Sequence, residues 1–414
     1  MQKRILLSLL IMAVLAGCGP TVTATPTAAL APTTTQITLP TLIPTIPTDT
    51  PTAAPTRTPQ PTLTATPAPP TLTPLPTYPP NGYGPTNFPA GIDPLTGLEV
   101  ANPDLLNRRP IVIKVENLPR SDRPQFGLTQ ADIVYEYYTE LGSTRFAAVF
   151  YGQDATQVGP IRSARWFDFN VVQMYKGIFI FGYAYADLYS AIVNSDFYNR
   201  LILENTTSSP ALSRYEPNSV DYLMADTTQL PDVLTKKKIN NSKQNLDGML
   251  FNRATPSGGN PATQVYVRYS AAIYNRWDYD PATGKYMRFV DAADDPGHTN
   301  EVYTQLTDRA NNQPITADNV VIVEVAHQYI SKTATSEILN MKLLGTGKAY
   351  VMRDGQMFQV TWKRAKTTDV MTFVNADGTP FALKPGQTWI EVMGKSTTFA
   401  DVNNGAFRFT WRTP

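Results

Sequence analysis

The chain has 414 residues, and its 35 Lys and Arg residues nearly balance 34 Asp and Glu residues, giving a formal net charge of +1. This balance argues against nucleic acid or another polyanion bound through bulk charge. The single cysteine excludes an internal disulfide, a CxxC redox site and a cysteine-rich metal cluster.

Residues 1–18 have the pattern of a lipoprotein signal peptide. A short basic segment precedes an apolar run at 5–15, which is too short for a permanent transmembrane helix but fits the core of a secretory signal. The run ends in Leu15-Ala16-Gly17-Cys18, which resembles a lipobox, so we expect cleavage before Cys18 and lipidation of its thiol. The alternative is an ordinary signal peptide with a chance cysteine. The lipobox interpretation predicts a protein held on the extracytoplasmic face of the cell membrane by its N-terminal lipid.

Residues 19–89 are mostly Thr, Pro and Ala. Proline recurs every few residues and prevents helix formation, and large apolar side chains are too few to offset the entropy of ordering. The composition therefore predicts a disordered tether biased towards polyproline II. Its simplest role is that of a spacer without any recognition function.

A mixed α/β domain is predicted over residues 90–257. Apolar runs indicate strands, and a change to helical periodicity after Gly159-Pro160 indicates the first helix. The predicted strands are 111–115, 133–138, 145–151 and 178–181. The predicted helices are 166–174, 187–193 and a third that begins at Asp226 or Thr227, as a cap, and ends at the lysines 236–238.

A second, β-rich domain is predicted over residues 262–414, after the breaker cluster Ser257-Gly258-Gly259-Asn260-Pro261. Turn signals such as Arg353-Asp354-Gly355 separate short alternating runs, which is typical of hairpins. The predicted strands are 264–269, two around the turn in 277–286, 319–325, 348–352, 357–362, 373–374, 388–392 and 406–411. The fold class is therefore α+β, with a mixed α/β N-terminal domain followed by a mostly antiparallel C-terminal domain.

Several segments resemble a bacterial family, and the most specific is Gly159-Pro160-Ile161-Arg162-Ser163-Ala164-Arg165. The others are 91–97, 109–117, 123–125, 127–128, 131–136, 144–146, 316–320, 345–349 and 385–391. Together they cover nearly all of residues 91–393. In these segments the chain is similar to the YerB-like lipoproteins, a family with paired N- and C-terminal domains of unknown function. The resemblance implies a two-domain lipoprotein and no particular reaction.

The best candidate site is the arginine-rich turn before the first predicted helix. Ser163 is placed to cap that helix, and Arg162 and Arg165 share one side if the first turn is wound. Arg145 on the preceding strand can join them. A helix N-terminus with two or three guanidinium groups can bind a carboxylate or a phosphate.

An internal ion-pair network is the alternative, because cations oppose the dipole at a helix N-terminus and need an acidic partner. The available carboxylates are Glu136, Glu140 and Asp168. Glu136 and Glu140 are also the weak candidates for a catalytic carboxylate pair facing one cleft. His298 and His327 lack the spacing of a metal motif, so neither a metal nor a cofactor is expected.

The leading functional hypothesis is a non-catalytic cell-envelope lipoprotein that binds a wall polymer, an anionic ligand or a membrane-protein partner. The expected partners are the membrane, through the lipid, and peptidoglycan or an envelope protein, with no nucleic acid. The alternative is a wall-active hydrolase or transferase that uses paired carboxylates and the arginine cluster. A solute-binding lipoprotein is a third class, and the hairpin-rich second half argues against it.

Overall fold

The computed structural model describes residues 78–215 and 222–412. The predicted signal peptide, Cys18 and residues 19–77 of the predicted tether lie outside the described residues. Within the described part, strands hold 39% of the residues and helices 12%, so the protein is β-rich with mixed sheets.

The strands and helices have the following bounds. The strands, in chain order, are β1 (Ile111–Glu116), β2 (Ile133–Tyr138), β3 (Thr144–Phe150), β4 (Ile178–Ile180), β5 (Leu201–Ile202), β6 (Leu212–Arg214), β7 (Leu223–Ala225), β8 (Leu250–Phe251), β9 (Asn260–Pro261), β10 (Gln264–Arg268), β11 (Tyr274–Asp280), β12 (Lys285–Asp291), β13 (Tyr303–Gln305), β14 (Thr316–Ala317), β15 (Asn319–Lys332), β16 (Glu337–Lys342), β17 (Gly345–Arg353), β18 (Gln356–Arg364), β19 (Thr372–Val374), β20 (Ala382–Leu383), β21 (Thr388–Gly394), β22 (Thr398–Asn403) and β23 (Ala406–Thr410). The α-helices are α1 (Asp168–Tyr175), α2 (Ala186–Val193) and α3 (Leu230–Lys236), and the 3-10 helices are Pro103–Asn107, Arg120–Asp122, Leu128–Gln130, Tyr198–Arg200 and Thr227–Gln229.

The largest sheet joins strands from both halves of the chain. Its order is β19-β18-β17-β15-β21-β2-β3-β1-β4-β5, with β16 and β9 paired to β15 and β18. At its centre β21 runs parallel to both β15 and β2, and Glu391 of β21 is the register partner of Glu136 in β2. These strands are buried on both faces, which explains their nearly continuous apolar runs.

The large sheet lies between helix α1 on one face and a second sheet on the other. The second sheet has the order β13-β12-β11-β10-β23-β22, with β14 paired to β12. Alternate residues of β2 point to opposite faces. The hydroxyl of Tyr135 lies 2.6 Å from that of Tyr175 in α1, whereas Glu136 pairs with Arg288 of β12 in the second sheet.

The predicted strands and helices are largely present. The strand predictions at 111–115 and 133–138 are confirmed by β1 and β2, and Asp226 caps the turn that leads into α3, as predicted. The prediction that Ser163 caps the first helix is wrong, because α1 begins five residues later, at Asp168. The division into a mixed α/β half and a mostly antiparallel half stays a prediction, since strands of both halves share the large sheet.

No helix in residues 78–215 and 222–412 combines the length and the apolar character that a membrane span requires.

A buried ion triad connects the two sheets. Arg288 donates hydrogen bonds to Glu136 and to Glu391, and all three side chains are fully buried. The guanidinium carbon of Arg288 lies 4.3 Å from the ring centre of Trp389 and 5.0 Å from that of Trp277, whose indole N–H donates to Glu391. The two register partners from the large sheet thus share one cation from the second sheet.

The triad is sensitive to the loss of any one member. Burial raises the pKa of Glu136 to about 7, with Arg288 opposing the shift and the neighbouring Glu391 charge adding to it. Removing one partner of a buried ion pair costs about 3–5 kcal/mol, because an uncompensated charge remains in the interior.

We therefore expect Arg288→Met to lower the free energy of unfolding by about 3–5 kcal/mol at pH 7.5. The loss should shrink at pH 5, where Glu136 can take up a proton and no longer repels Glu391. Urea unfolding followed by circular dichroism measures both values. Lys285→Met on the same strand is the control, because the Lys285 side chain is 41% exposed and its ion pair with Asp318 should contribute about 1 kcal/mol or less. Equal losses in the two variants would contradict the role of the triad.

Candidate functional site

The turn between β2 and β3 brings Glu140 next to the arginine-rich segment. Leu141 and Gly142 have φ values of 48° and 84°, so the chain reverses through the left-handed region there. The arginine-rich segment is held in place by main-chain hydrogen bonds. The amide of Arg162 donates to Lys114 O at 3.0 Å, and the amide of Ala164 donates to Tyr183 O at 2.7 Å.

Two of the three predicted arginines converge on Glu140. Arg165 donates to both carboxylate oxygens of Glu140, and Nη2 of Arg145 lies 3.4 Å from the same carboxylate. Arg145 also donates to the main-chain oxygen of Ser163 at 3.0 Å, so Ser163 contributes its carbonyl to the cluster. The arrangement leaves both guanidinium groups partly exposed.

Arg162 faces a different pair of carboxylates. It donates to Glu116, and its Nη2 lies 3.2 Å from Asp122. Burial raises the pKa of Glu116 to about 8, the hydrogen bond with Asp122 adds to the rise, and Arg162 opposes it. The predicted convergence of Arg145, Arg162 and Arg165 on one point is thus not what the structure shows.

Glu136 and Glu140 do not share a cleft. Glu136 is fully buried between the sheets with Arg288, while Glu140 lies in the turn with Arg165. The strand periodicity that places residues four apart on one face ends at Tyr138, and the turn carries Glu140 away.

An open cleft of about 530 Å³ lies beside the Arg165–Glu140 ion pair. One wall comes from the β2–β3 turn and the segment before α1, and the other comes from the strand β16 and the residues before it. Half-buried Trp166 and Tyr185 lie in the first wall and are hydrogen-bonded to each other. The lining residues are Tyr137, Tyr138, Thr139, Glu140, Leu141, Arg165, Trp166, Phe167, Tyr185, Thr335, Ser336, Glu337, Ile338, Leu339 and Met341.

Glu337 connects the two walls of the cleft. Its Oε2 accepts hydrogen bonds from the Tyr138 hydroxyl and, at 2.7 Å, from the amide of Leu141. The pKa of Glu337 is lowered, because these donors outweigh the effect of burial. Burial also acts to raise the pKa of Glu140, but Arg165 and Arg145 outweigh it and lower the pKa. Both carboxylates of the cleft are therefore ionised at neutral pH.

The sequence did not identify Glu337 or Trp166 as site residues, whereas Tyr185 was one of the tyrosines whose exposure would favour a binding role. Glu337 is separated from its partners in the β2–β3 turn by nearly 200 positions, and no local pattern reports such a contact. Trp166 begins a predicted helix, where aromatic residues usually signal packing. The one available signal was the density of Tyr and Trp around the arginine-rich segment.

Comparison with known proteins places the chain in a family. Residues 95–240 match the model described as the N-terminal domain of the protein of unknown function DUF3048, and residues 265–390 match the model of its C-terminal domain. The Bacillus subtilis (strain 168) protein described as "Putative lipoprotein YerB" is 30% identical over 311 residues, which is 72% of this chain and 85% of that protein. The chain belongs to the YerB-like DUF3048 family.

The fold is shared with a solved member of that family. The crystal structure of YerB from Bacillus subtilis matches with a TM-score of 0.61 and 26% sequence identity, and the match covers 73% of this chain and 96% of that chain. The two domain models of the family thus match most of the described part of the chain.

A second cleft, of about 340 Å³, contains residues from four of the segments that resemble the YerB-like family. Asp93 and Asp132 lie there, 0% and 2% exposed. Oδ1 of Asp93 accepts from Leu95 N at 2.8 Å, and Oδ2 of Asp132 accepts from Gly152 N at 3.1 Å. Within the described residues, no group of three or more His, Cys, Asp or Glu side chains could hold a metal ion.

The two aspartates lie in one buried site, where the charge of Asp93 disfavours ionisation of Asp132. A Cβ atom on Gly152 would lie 2.6 Å from Oδ2 of Asp93, so only glycine allows this approach. Oδ2 of Asp93 has no N–H or O–H donor unless one of the two carboxyl groups carries a proton. Burial raises the pKa of Asp93 to about 6, and burial together with the Asp93 charge raises the pKa of Asp132 well above its usual value.

We expect Asp93→Asn to stabilise the protein at neutral pH. The raised pKa of Asp93 means that its contribution to stability is present below the unfolded value of about 4 and is lost as pH rises through about 6. An asparagine keeps the acceptor for Leu95 N and adds a donor for Asp132. The free energy of unfolding at pH 7.5 should rise by about 1–3 kcal/mol, and the gain should vanish near pH 4. Urea titrations at the two pH values test this, and a destabilised variant at pH 7.5 would contradict it.

Proposed function

We propose that the protein is a lipoprotein anchored through lipidated Cys18 to the extracytoplasmic face of the cell membrane. The support is the signal-peptide pattern of residues 1–18, the lipobox-like Leu15-Ala16-Gly17-Cys18, and the description of the Bacillus subtilis relative as "Putative lipoprotein YerB". In this proposal residues 19–77 carry the folded part away from the membrane and into the cell wall. Residues 78–89, predicted as the end of the tether, belong to the folded part instead, since the amide of Tyr83 donates to Phe251 O at 2.8 Å.

We further propose that the folded part binds the glycan strands of the wall, and that the cleft beside Arg165 and Glu140 is the binding site. The observation that carries this proposal is the pairing of aromatic faces with ionised groups in one open cleft. Trp166 and Tyr185 are half-buried and held to each other, so they present apolar ring surface with little entropy to lose on binding. The apolar C–H faces of sugar rings pack on such surfaces.

Charged groups of the cleft suit the polar parts of a saccharide. Glu140 and Glu337 can accept hydrogen bonds from hydroxyl and acetamido groups, and Arg165 can donate to an acidic substituent. A few polar groups in a mostly apolar concave site are the usual composition of a small-molecule or oligomer site.

The arrangement of Glu136 and Glu140 does not favour the hydrolase or transferase alternative. A general acid needs a raised pKa and access to the substrate. Glu136 is buried with Arg288, and the pKa of Glu140 is lowered. The proposal is therefore restricted to binding.

Wall binding should depend on the aromatic wall of the cleft. We expect Trp166→Ala to reduce co-sedimentation with purified peptidoglycan sacculi about tenfold or more, because it removes the stacking surface and the partner of Tyr185. Tyr198→Ala is the control, since this tyrosine is 61% exposed and does not line the cleft. Unchanged sedimentation of the Trp166 variant, or retention of the protein by a membrane protein in place of sacculi, would contradict the assignment.

The anchor is tested separately. We expect Cys18→Ser to move the protein from the membrane fraction to the soluble fraction, because no acyl chain can then be attached. Mass spectrometry of the native protein should show an acylated N-terminal Cys18 without residues 1–17. An intact N-terminus with a free thiol would contradict the proposal.

A further inference from the structure

Five charged side chains lie together beneath and beside the cleft. Lys114, Arg145 and Arg165 are the cations, and Glu140 and Asp168 are the anions. Lys114 lies in the middle of β1 and is 0% exposed, which is unusual for a lysine. The cluster has one more positive charge than negative charge when Lys114 is protonated.

Tyr137 connects the buried lysine to the cleft. It lines the cleft, its hydroxyl accepts a hydrogen bond from Nζ of Lys114, and the same hydroxyl donates to Oδ1 of Asp168. Nζ of Lys114 also lies 3.8 Å from the centre of the Tyr137 ring. The strand register places Tyr137 and Arg145 side by side on the sheet face that carries Lys114.

Both carboxylates of the cluster already have other partners. Asp168 lies 3.5 Å from Lys114, but its Oδ2 accepts from the amide of Arg165 at 2.7 Å. Glu140 is shared by Arg165 and Arg145. Two carboxylates thus serve three cations, so the cluster lacks one negative charge when Lys114 is protonated, and an uncompensated buried charge is costly.

Near neutral pH, Lys114 is consequently protonated in part of the molecules and neutral in the rest. Burial is the largest cause of a pKa lowered to about 7; Asp168 opposes it, and Arg145 and Arg165 add to it. The neighbouring strand β4 contributes only Ile178, Phe179 and Ile180. Glu116, two residues along β1, is engaged by Arg162.

We propose that the cleft selects an acidic saccharide by a carboxylate bound at Arg165, and that Lys114 takes up a proton from solvent when this carboxylate binds. The inference rests on the proposed binding function of the cleft. The ligand supplies the missing negative charge, so the cluster becomes neutral with Lys114 protonated. Arg165 keeps one Nη2 hydrogen for the ligand, since Glu140 and the carbonyls of Ser163 and Ala164 occupy its other four.

Proton uptake gives binding a defined pH dependence. Below about pH 6 Lys114 is already protonated in the free protein, so the affinity is constant. Above about pH 7 the affinity falls by up to tenfold per pH unit, because each binding event must also bind a proton.

Isothermal titration calorimetry of the full-length protein in detergent micelles measures this directly. The probe is peptide-free glycan strands, which carry a lactyl carboxylate on every second sugar, and chitotetraose is the matched saccharide without a carboxylate. Titrations at pH 7.5 in two buffers of different ionisation enthalpy give the number of protons taken up. We expect about 0.5–1 proton per bound strand site, and chitotetraose should bind at least tenfold more weakly and without uptake.

Two variants assign the proton to Lys114. Lys114→Met should abolish proton uptake and flatten the pH dependence, while Lys176→Met, a half-buried lysine outside the cleft, should retain both. Arg145→Gln removes a repelling charge, so Lys114 should be more protonated in the free protein and uptake at pH 7.5 should fall. This second variant keeps the test decisive if Lys114→Met does not fold.

The outcomes separate the two proposals. Failure of both saccharides to bind would overturn the proposed function itself. Equal binding of both saccharides, or carboxylate-dependent binding without proton uptake, would overturn the present inference alone. Binding of poly(glycerol phosphate) in place of glycan strands would overturn both proposals.

Discussion

The contact on which the rest of the structure depends is the shared cation between Glu136 and Glu391. These two carboxylates are register partners on parallel strands at the centre of the large sheet, and Arg288 reaches them from the second sheet. Two buried like charges side by side repel unless a cation lies between them. The triad therefore fixes which strand of the second sheet faces β2 and β21, and the two tryptophans that pack against the guanidinium help to exclude water from it.

The position of the cleft follows from the same central strands. β2 ends at Tyr138 and leads directly into the turn that carries Glu140, while β15 extends beyond its pairing with β21 and pairs with β16, which carries Glu337. One side of the cleft is thus built on the strand that bears Glu136, and the other on the neighbour of β21. The two faces of β2 have different roles. Tyr135 and Tyr137 face α1 and the charged cluster, and Glu136 faces the second sheet.

Local sequence patterns predict most of the individual strands and helices, but they do not predict which residues contact each other across the fold. The runs at 111–115 and 133–138 form strands because each is apolar except for one charged residue, Lys114 or Glu136. Asp226 caps its turn because its side chain reaches Thr228 N. The ion triad joins residues more than 100 positions apart, and Glu337 meets the β2–β3 turn from nearly 200 positions away. A single charged residue inside an apolar strand, such as Arg288 in β12, was a usable signal of a buried ion pair, but it does not name the partner. Ser163 does not cap α1, because the helix begins at Asp168, whose side chain accepts a hydrogen bond from the amide of Arg165.

The central functional claim is that a saccharide occupies the cleft with its acid at Arg165. A crystal structure of the protein with peptide-free glycan strands tests it most directly. We expect a sugar ring stacked against Trp166 and Tyr185, with its carboxylate within hydrogen-bond distance of Nη2 of Arg165 and the Arg165–Glu140 pair retained. A saccharide bound elsewhere on the protein, or one in the cleft with its carboxylate directed to solvent, would contradict the account.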